Sequence, residues 1–180
     1  MALTSSAPVQ QIVMMGVAGV GKTTIAERVS ALTGWVFAEG DRFHPAANIA
    51  KMSSGQALTD EDRWPWLRSI GDYMSAEIAA GRSGIVTCSA LRRVYRDLLR
   101  EDRPQVRFCH LAGEEPMVAE RIAQRTGHFL PPSLLRSQYE TLEPLEDEEP
   151  GVTVCVDGDP DAVLAHVLDA LDLHQMTGTR

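Results

Sequence analysis

The sequence is poor in cysteine, and its few cysteines are far apart. Its 180 residues include only Cys88, Cys109 and Cys155, and no two of them have the spacing of a metal-binding pair. A disulfide scaffold and a cysteine-based zinc site are therefore excluded. Each cysteine stands in an apolar, β-branched stretch, so we expect three reduced and buried thiols.

Positive charge and long apolar runs are also scarce. Lysine and arginine total 17 against 25 aspartates and glutamates, which gives a net charge of −8. Nucleic acids and membrane surfaces attract proteins with a positive field, so we expect neither as a partner, although a local cationic pocket could still hold a small anion. No apolar run approaches membrane-spanning length, and MALTSSAPVQ has no basic signal-peptide start. We therefore expect a cytoplasmic protein.

Short apolar runs alternate with helical patterns along the chain. The apolar runs lie at 11–15, 35–38, 84–88, 106–111 and 152–156. They are continuously apolar, which is typical of parallel strands covered on both faces. The helical patterns lie at 22–33, 45–52, 61–80, 91–100, 116–125, 133–142 and 160–173. This order predicts one α/β domain with a five-stranded parallel sheet and helices on both faces.

Local signals add detail to this scheme. Thr59 and Asp62 have the spacing of a capping box before the third helix. Ser89 is a candidate cap for the helix that follows the third strand. The segment LEPLEDEEP, at 142–150, is acidic and bounded by prolines, and we interpret it as a solvated linker.

The segment GVAGVGKT, at 16–23, matches the phosphate-loop pattern G-x-x-x-x-G-K-[ST] in full, between a strand and a helix. Its glycines allow backbone N–H groups to face phosphate oxygens, and the helix adds the positive end of its dipole. Lys22 can reach the β- and γ-phosphates, and the Thr23 hydroxyl can bind Mg²⁺ directly. The predicted nucleotide-binding residues of this segment are Gly16, Val17, Ala18, Gly19, Val20, Gly21, Lys22, Thr23 and Thr24.

The phosphate loop alone leaves the class of nucleotide-binding protein open. The chain lacks the N-K-x-D signature of guanine recognition, which counts against a GTPase, and it is too short for large effector domains. A small-molecule kinase is therefore favoured. A regulatory module that binds a nucleotide without turnover remains the alternative from a different class.

Acidic residues follow the second apolar run, in AEGDRFHP at 38–45. Ligands collect at the carboxyl ends of parallel strands, so Glu39, Asp41 and Ser89 are expected to open on the same edge as the phosphate loop. Asp41 could orient an acceptor hydroxyl, and Glu39 could hold a magnesium-bound water. A simple turn is the alternative, because Gly-Asp is common in turns.

Arginines supply candidates for a lid. Arg121 and Arg125 precede a glycine-bearing break at 127–132, which suits a segment that closes over ATP and excludes water. His44 and His128 lie next to segments that interrupt the helical patterns near these clusters. We interpret four other arginines as solvated: Arg92, Arg100, Arg103 and Arg107.

Several longer segments together resemble the bacterial-type gluconokinases, small P-loop kinases related to shikimate and adenylate kinases. These segments are EGDRFHP, NIAKMSSGQALTDEDRWPWL, CSALRRVYRDLLR and RTGHFLPPSLLRSQYETLE. The resemblance implies ATP-dependent phosphorylation of D-gluconate to 6-phosphogluconate, with Mg²⁺, by a homodimer. It also implies a P-loop kinase fold with a core at about 10–175, a substrate-binding region at about 41–80 and a lid at about 121–140.

The resemblance further implies roles for single residues. Asp41 would act as the base on the substrate hydroxyl, and Arg63 would bind the substrate, with the carboxylate as the candidate group. Arg121 would lie on the adenine, and Arg125 would reach the phosphates. The implied catalytic residues are thus Lys22, Asp41 and Arg125. Further implied substrate contacts are His44, Ser89, Arg96, His128 and Gln138.

Three positions depart from the family pattern. Glu39 stands where the family commonly has aspartate, which keeps the charge. Arg92 replaces a usual lysine, and Ala57 replaces a usual proline. From the residues alone, a kinase of another small anion such as shikimate stays open, because a cationic pocket suits any small anion.

Overall fold

A computed structural model describes residues 8–124 and 130–174. Within them, five strands form one sheet in the order β2-β3-β1-β4-β5, and every pairing is parallel. The strands are β1 (Gln11–Met15), β2 (Val36–Ala38), β3 (Gly84–Thr87), β4 (Val106–Ala112) and β5 (Gly151–Cys155). The apolar runs therefore predicted all five, each bound to within about one residue.

All seven predicted helices are present in the described residues. They are α1 (Lys22–Thr33), α2 (Ala46–Ser53), α3 (Asp60–Ala79), α4 (Arg93–Arg100), α5 (Glu115–Gln124), α6 (Pro132–Thr141) and α7 (Pro160–Ala170). The capping box of Thr59 and Asp62 is confirmed at the start of α3. The cap predicted for Ser89 is wrong, because α4 begins later, at Arg93, with Arg92 as its N-cap residue. No described helix has the length and apolarity to cross a membrane.

The core lies on both faces of the sheet. Successive side chains of a strand point to opposite faces, and β1 shows this with four fully buried residues. Ile12 and Met14 pack in the cluster beneath α1 and α7, whereas Val13 and Met15 pack in the cluster beneath α3 and α4. Because both faces are covered, the carboxyl edge of the sheet is the place where loops can gather around a ligand.

Two expectations about burial are wrong. Cys88 and Cys109 are buried, but Cys155 is exposed, because it ends the edge strand β5. The acidic segment 142–150 is not solvated throughout. Glu149 is only 8% exposed, and its carboxylate accepts hydrogen bonds from the buried guanidinium of Arg96.

His110 on β4 makes the stability of the fold depend on pH. Its Nδ1 is buried without a hydrogen-bond partner among the described residues. Burial, followed by the charge of Arg96, lowers the pKa of His110 to about 4. The pKa of a histidine in the unfolded chain is near 6.5. Between about pH 6.5 and pH 4, the unfolded chain therefore binds a proton at His110 that the folded chain does not bind. This contribution is complete above pH 6.5 and is lost as the pH falls towards 4.

Between pH 7 and pH 4.5, we expect the free energy of unfolding of His110→Leu to decrease less than that of the wild type. The wild type should lose about 3 kcal/mol more than the variant over the full interval, since one pKa unit corresponds to about 1.4 kcal/mol. Urea unfolding at several pH values measures this difference. His166→Gln is the matched control, because His166 is exposed. Equal slopes for all three proteins would contradict the assignment to His110.

Candidate active site

The phosphate loop joins β1 to α1 in a conformation that requires glycine. Gly16, Gly19 and Gly21 have φ angles of 141°, 79° and 106°, which side-chain-bearing residues rarely adopt. Gly21 is also the N-cap of α1, so the unpaired N–H groups of the first helical turn join those of the loop. A concave set of N–H donors at a helix N-terminus suits the binding of phosphate.

Lys22 lies folded over this loop. Its Nζ is 3.0 Å from the carbonyl oxygen of Gly16 and 2.9 Å from that of Val17. The ammonium group is therefore already held at the mouth of the loop. Thr23 and Thr24 follow on the exposed first turn of α1.

The ends of β2 and β3 meet the loop, as the sequence predicted. Thr23 Oγ1 donates to Glu39 Oε2 at 2.7 Å, and the Thr87 hydroxyl donates to the other oxygen of the same carboxylate. The Thr87 oxygen also accepts the Gly40 N–H at 3.0 Å. Sequence reasoning missed Thr87. The available signal was a hydroxyl residue that ends an otherwise apolar strand at the ligand-binding edge.

Thr23 and Glu39 fit a Mg²⁺ that arrives with a nucleotide. Mg²⁺ prefers oxygen ligands, keeps several waters and commonly takes few ligands from the protein itself. A hydroxyl and a carboxylate already 2.7 Å apart suit this pattern. No group of three histidine, cysteine, aspartate or glutamate side chains in the described part of the chain could hold a metal ion without a nucleotide.

Gly40 brings the acidic turn close to β3. A Cβ at this position would lie 1.8 Å from the Thr87 carbonyl oxygen, so no larger residue fits. The Gly40 carbonyl in turn accepts the Trp66 indole N–H at 2.8 Å. The predicted turn is in fact a short 3₁₀ helix, Gly40–Phe43, clamped between β3 and α3. It presents Asp41 with 81% of its side chain exposed.

His44 is buried behind Asp41. Its ring stacks on Trp66 with centroids 4.1 Å apart, and its Nε2 lies 3.8 Å from Asp41 Oδ1. On the other side, its Nδ1 lies 3.3 Å from Asn48 Nδ2, which also donates to the Asp62 carbonyl at 2.8 Å. Burial lowers the pKa of His44, against the charge of Asp41, so the ring is neutral near pH 7.

The hydrogen bonds around Asn48 determine which nitrogen of His44 carries the proton. The carbonyl of Asp62 can only accept, so the NH₂ group of Asn48 must be the group that faces both Asp62 and His44. His44 Nδ1 is then the acceptor, and the proton is on Nε2, the nitrogen nearer to Asp41. His44 was expected to contact substrate; this geometry has it facing Asp41.

Arg63 belongs to a charged cluster between α3 and α4. Its Nη1 donates to the Tyr95 hydroxyl at 3.1 Å and lies 3.9 Å from Asp60 Oδ1. Arg92, expected to be only solvated, donates to Asp60 Oδ2 at 2.5 Å. The hydrogen bond from Tyr95, then Arg92 and Arg63, hold the pKa of Asp60 below its usual range. Arg92 also lies 3.6 Å from Glu143 Oε1, so the two guanidiniums share two carboxylates. The N–H groups of Arg63 that do not face Tyr95 could bind another small anion.

The turn after β3 is strained and reaches the phosphate loop. The Ser89 carbonyl accepts the Gly16 N–H at 3.3 Å. The next residue, Ala90, is buried and has a φ of 43°, a conformation that costs a non-glycine residue about 1–2 kcal/mol. Such strain persists only where the surroundings enforce it.

Arg96 lies beneath this turn and not in the cleft. It has no exposed surface, and it donates to the carbonyls of Ala90, Leu91, Glu143 and Pro144 as well as to Glu149. Every N–H group of the guanidinium is engaged, so none is left for a substrate. The expected substrate contact of Arg96 is therefore corrected to a structural one.

The remaining candidates lie around the loop. Arg121 donates to the carbonyls of Val156 and Gly158, at 2.6 and 3.3 Å, just beyond the end of β5. Gln138 on α6 accepts the Ala18 N–H of the phosphate loop at 2.7 Å. Arg125 and His128, both expected in the site, lie outside the described residues.

Comparisons with known proteins agree with this architecture. A family model described as an AAA domain matches residues 12–145. A gluconokinase of Gluconobacter oxydans (strain 621H) is 46% identical over 157 residues, which cover 87% of this chain and 88% of that protein.

Two solved structures are similar over nearly the whole chain. A sugar kinase from Janibacter sp. HTCC2649, solved without ligand, has 49% identity and a TM-score of 0.89, covering 96% of this chain and all of that one. A gluconokinase from Sinorhizobium meliloti 1021 has 44% identity and a TM-score of 0.83, covering 92% of each chain. The P-loop kinase fold expected from the sequence is thus confirmed.

Proposed function

Because the chain belongs to the gluconokinase family, we propose that it transfers the γ-phosphoryl group of ATP to D-gluconate, giving 6-phosphogluconate and ADP. The observation that carries this proposal is the meeting of a complete phosphate loop with the Glu39–Asp41 turn at one sheet edge. The relatives carry gluconokinase names, so a shikimate-type acceptor is not favoured. The exposed Asp41 carboxylate argues against a purely regulatory module, which needs no acceptor site.

ATP binding uses the groups that already line the loop. The backbone N–H groups and the α1 N-terminus receive the phosphates. Lys22 exchanges the carbonyls of Gly16 and Val17 for β- and γ-phosphate oxygens, and Thr24 adds a further contact. Arg121, held at the connection between β5 and α7, lies on the adenine side.

Mg²⁺ would be held directly by the Thr23 hydroxyl and through a water by Glu39. When bound, such an ion neutralises the charge of the β- and γ-phosphates. Thr87 orients the Glu39 carboxylate for this contact, since its hydroxyl donates to the oxygen that Thr23 leaves unused.

The acceptor side is formed by the region at about 41–80. Asp41 accepts the hydrogen bond of the reacting hydroxyl, orients it towards the γ-phosphate and takes its proton. The neutral His44 directs its Nε2–H towards the Asp41 carboxylate from a distance of 3.8 Å. Arg63 receives the sugar-acid carboxylate, with Arg92 beside it, and Ser89 lies at the end of the neighbouring strand.

The lid is proposed to comprise about 121–140, with Arg125 on the phosphates and His128 on the substrate. Its closure would exclude water, which would otherwise compete as the acceptor. We further propose that the protein is a single-domain, cytoplasmic homodimer, as the family resemblance implies. Three free thiols support a reducing compartment.

The test is a coupled assay of ADP release with Mg-ATP and a panel of acceptors: D-gluconate, shikimate, glucose, glycerate and AMP. Gluconate should be turned over well above the others. Glucose, which lacks the carboxylate, should lose about 10- to 100-fold in kcat/KM, as expected for hydrogen bonds to a charged group. Turnover of another panel member would overturn the substrate assignment. ATP binding without any turnover would favour the regulatory module.

A further inference from the structure

Gln138 connects α6 to the phosphate loop. Its Oε1 lies 2.7 Å from the backbone nitrogen of Ala18. A backbone N–H can only donate, so the carbonyl end of Gln138 must face Ala18. The NH₂ end therefore points away from that N–H.

The rest of α6 holds Gln138 in this position. Leu135, one turn earlier, is 2% exposed and packs in the core beneath α1 and α7. The neighbouring Tyr139 donates its hydroxyl to the Gly113 carbonyl at 2.7 Å, at the end of β4. A helix anchored on both sides of Gln138 can fix the phosphate loop.

The NH₂ end of Gln138 lies beside an anion-binding surface. Among residues 8–124 and 130–174, none accepts a hydrogen bond from Gln138 Nε2. The two ends of a planar amide are close together, so this donor lies within about 5 Å of the Ala18 nitrogen. A donor at that distance from a phosphate loop suits a phosphate oxygen.

We propose that Gln138 has two roles in the reaction: its carbonyl positions the phosphate loop through Ala18, and its NH₂ group donates to the terminal phosphoryl group of ATP. The inference rests on the proposed function of the loop as the ATP site. It differs from the sequence expectation, in which Gln138 contacts the sugar acid.

Two variants separate the two ends of the amide. Gln138→Glu keeps an acceptor for Ala18 but replaces the donor with a negative oxygen, whereas Gln138→Leu removes both. We expect either variant to lose about 10- to 100-fold in kcat, the size of one hydrogen bond to a charged group. Only Gln138→Leu should speed amide hydrogen exchange in the peptide that contains Ala18. Gln105→Leu is the matched control and should change neither quantity, because Gln105 is half-buried just before β4, at the edge of the sheet opposite the phosphate loop.

Nucleotide titrations keep this test independent of the acceptor. Gln138→Glu should weaken ATP binding at least about 10-fold more than ADP binding, because only ATP carries the terminal phosphoryl group.

Equal losses for ATP and ADP, or a near-normal kcat in Gln138→Glu, would overturn the donor role. Unchanged exchange at Ala18 in Gln138→Leu would overturn the positioning role. A change confined to KM for gluconate would contradict both roles and support the expected contact between Gln138 and the sugar acid. Failure of the wild type on gluconate would overturn the proposed function but leave the exchange and titration results decisive for Gln138.

Discussion

Replacing Asp41 with asparagine is expected to lower kcat by a factor of about 10² to 10⁴, the usual contribution of a general base. Asparagine has the size of aspartate, but it cannot take the proton of the acceptor hydroxyl. The fold should tolerate the change, because the Asp41 side chain is 81% exposed and its neighbour His44, at 3.8 Å, is neutral. The backbone of the turn is held by Gly40, independently of the Asp41 side chain.

The informative result is the combination of lost turnover and intact nucleotide binding. ADP affinity, measured by titration calorimetry, should stay within about twofold of the wild type, because Asp41 contributes nothing to the phosphate loop. Asp72→Asn is the control, since Asp72 is an exposed carboxylate on α3. An Asp41→Asn protein that keeps more than about a third of the wild-type kcat would remove Asp41 as the base.

The pH dependence of the reaction should report the surroundings of Asp41. His44 is held neutral by burial, with its proton directed to Nε2 by Asn48. A charged His44 would place a positive charge 3.8 Å from Asp41 Oδ1, whereas the neutral ring directs only its Nε2–H towards the carboxylate. The buried stack on Trp66 thus has a chemical consequence in addition to its packing energy.

The predictable features of this protein are those that depend on the residues of one short, contiguous segment. The phosphate loop, the five apolar strands and the capping box of α3 are such features. Their sequence patterns can be recognised without knowledge of the fold. The meeting of Glu39 with Thr23 followed from one topological rule, that parallel strands share a carboxyl edge. These features required no knowledge of long-range side-chain contacts.

The features that escaped prediction depend on pairing between distant segments. Arg92 and Arg96 look alike in RRVYRDLLR, yet one lies half-exposed on Asp60 and the other is fully buried. The acidic segment 142–150 looked like a linker for the same reason. Arg92 and the acidic loop were each interpreted as solvated, and Arg96 was expected to contact the substrate. The opposite charges of the helix and the loop were a signal that they could pair.

Replacing Arg96 with methionine is expected to cost about 3–5 kcal/mol of the free energy of unfolding, as for other buried pairs that lose one partner. The Glu149 carboxylate would remain buried without its two hydrogen bonds from Arg96, at 2.6 and 2.9 Å. The carbonyl of the strained Ala90 would also lose its donor. Urea unfolding at pH 7 measures the loss. Arg136→Met should cost less than about 1 kcal/mol, because its pair with Glu140 is exposed.

A second substitution identifies the cause of that loss. Removing the charge of Glu149 in the same chain, as in Arg96→Met with Glu149→Leu, should recover much of the stability, since replacing a whole buried pair by apolar groups is often nearly neutral. Burial raises the pKa of the Glu149 carboxyl, but hydrogen bonds from Arg96 and from the Glu146 N–H lower it below the usual range. Without Arg96 the burial effect prevails and Glu149 takes up a proton more readily. The deficit of the single variant should therefore shrink as the pH falls from 7 to 5, and by more than that of the double variant, which shares only the loss of the Arg96 charge near His110. A deficit caused only by lost packing would not change with pH.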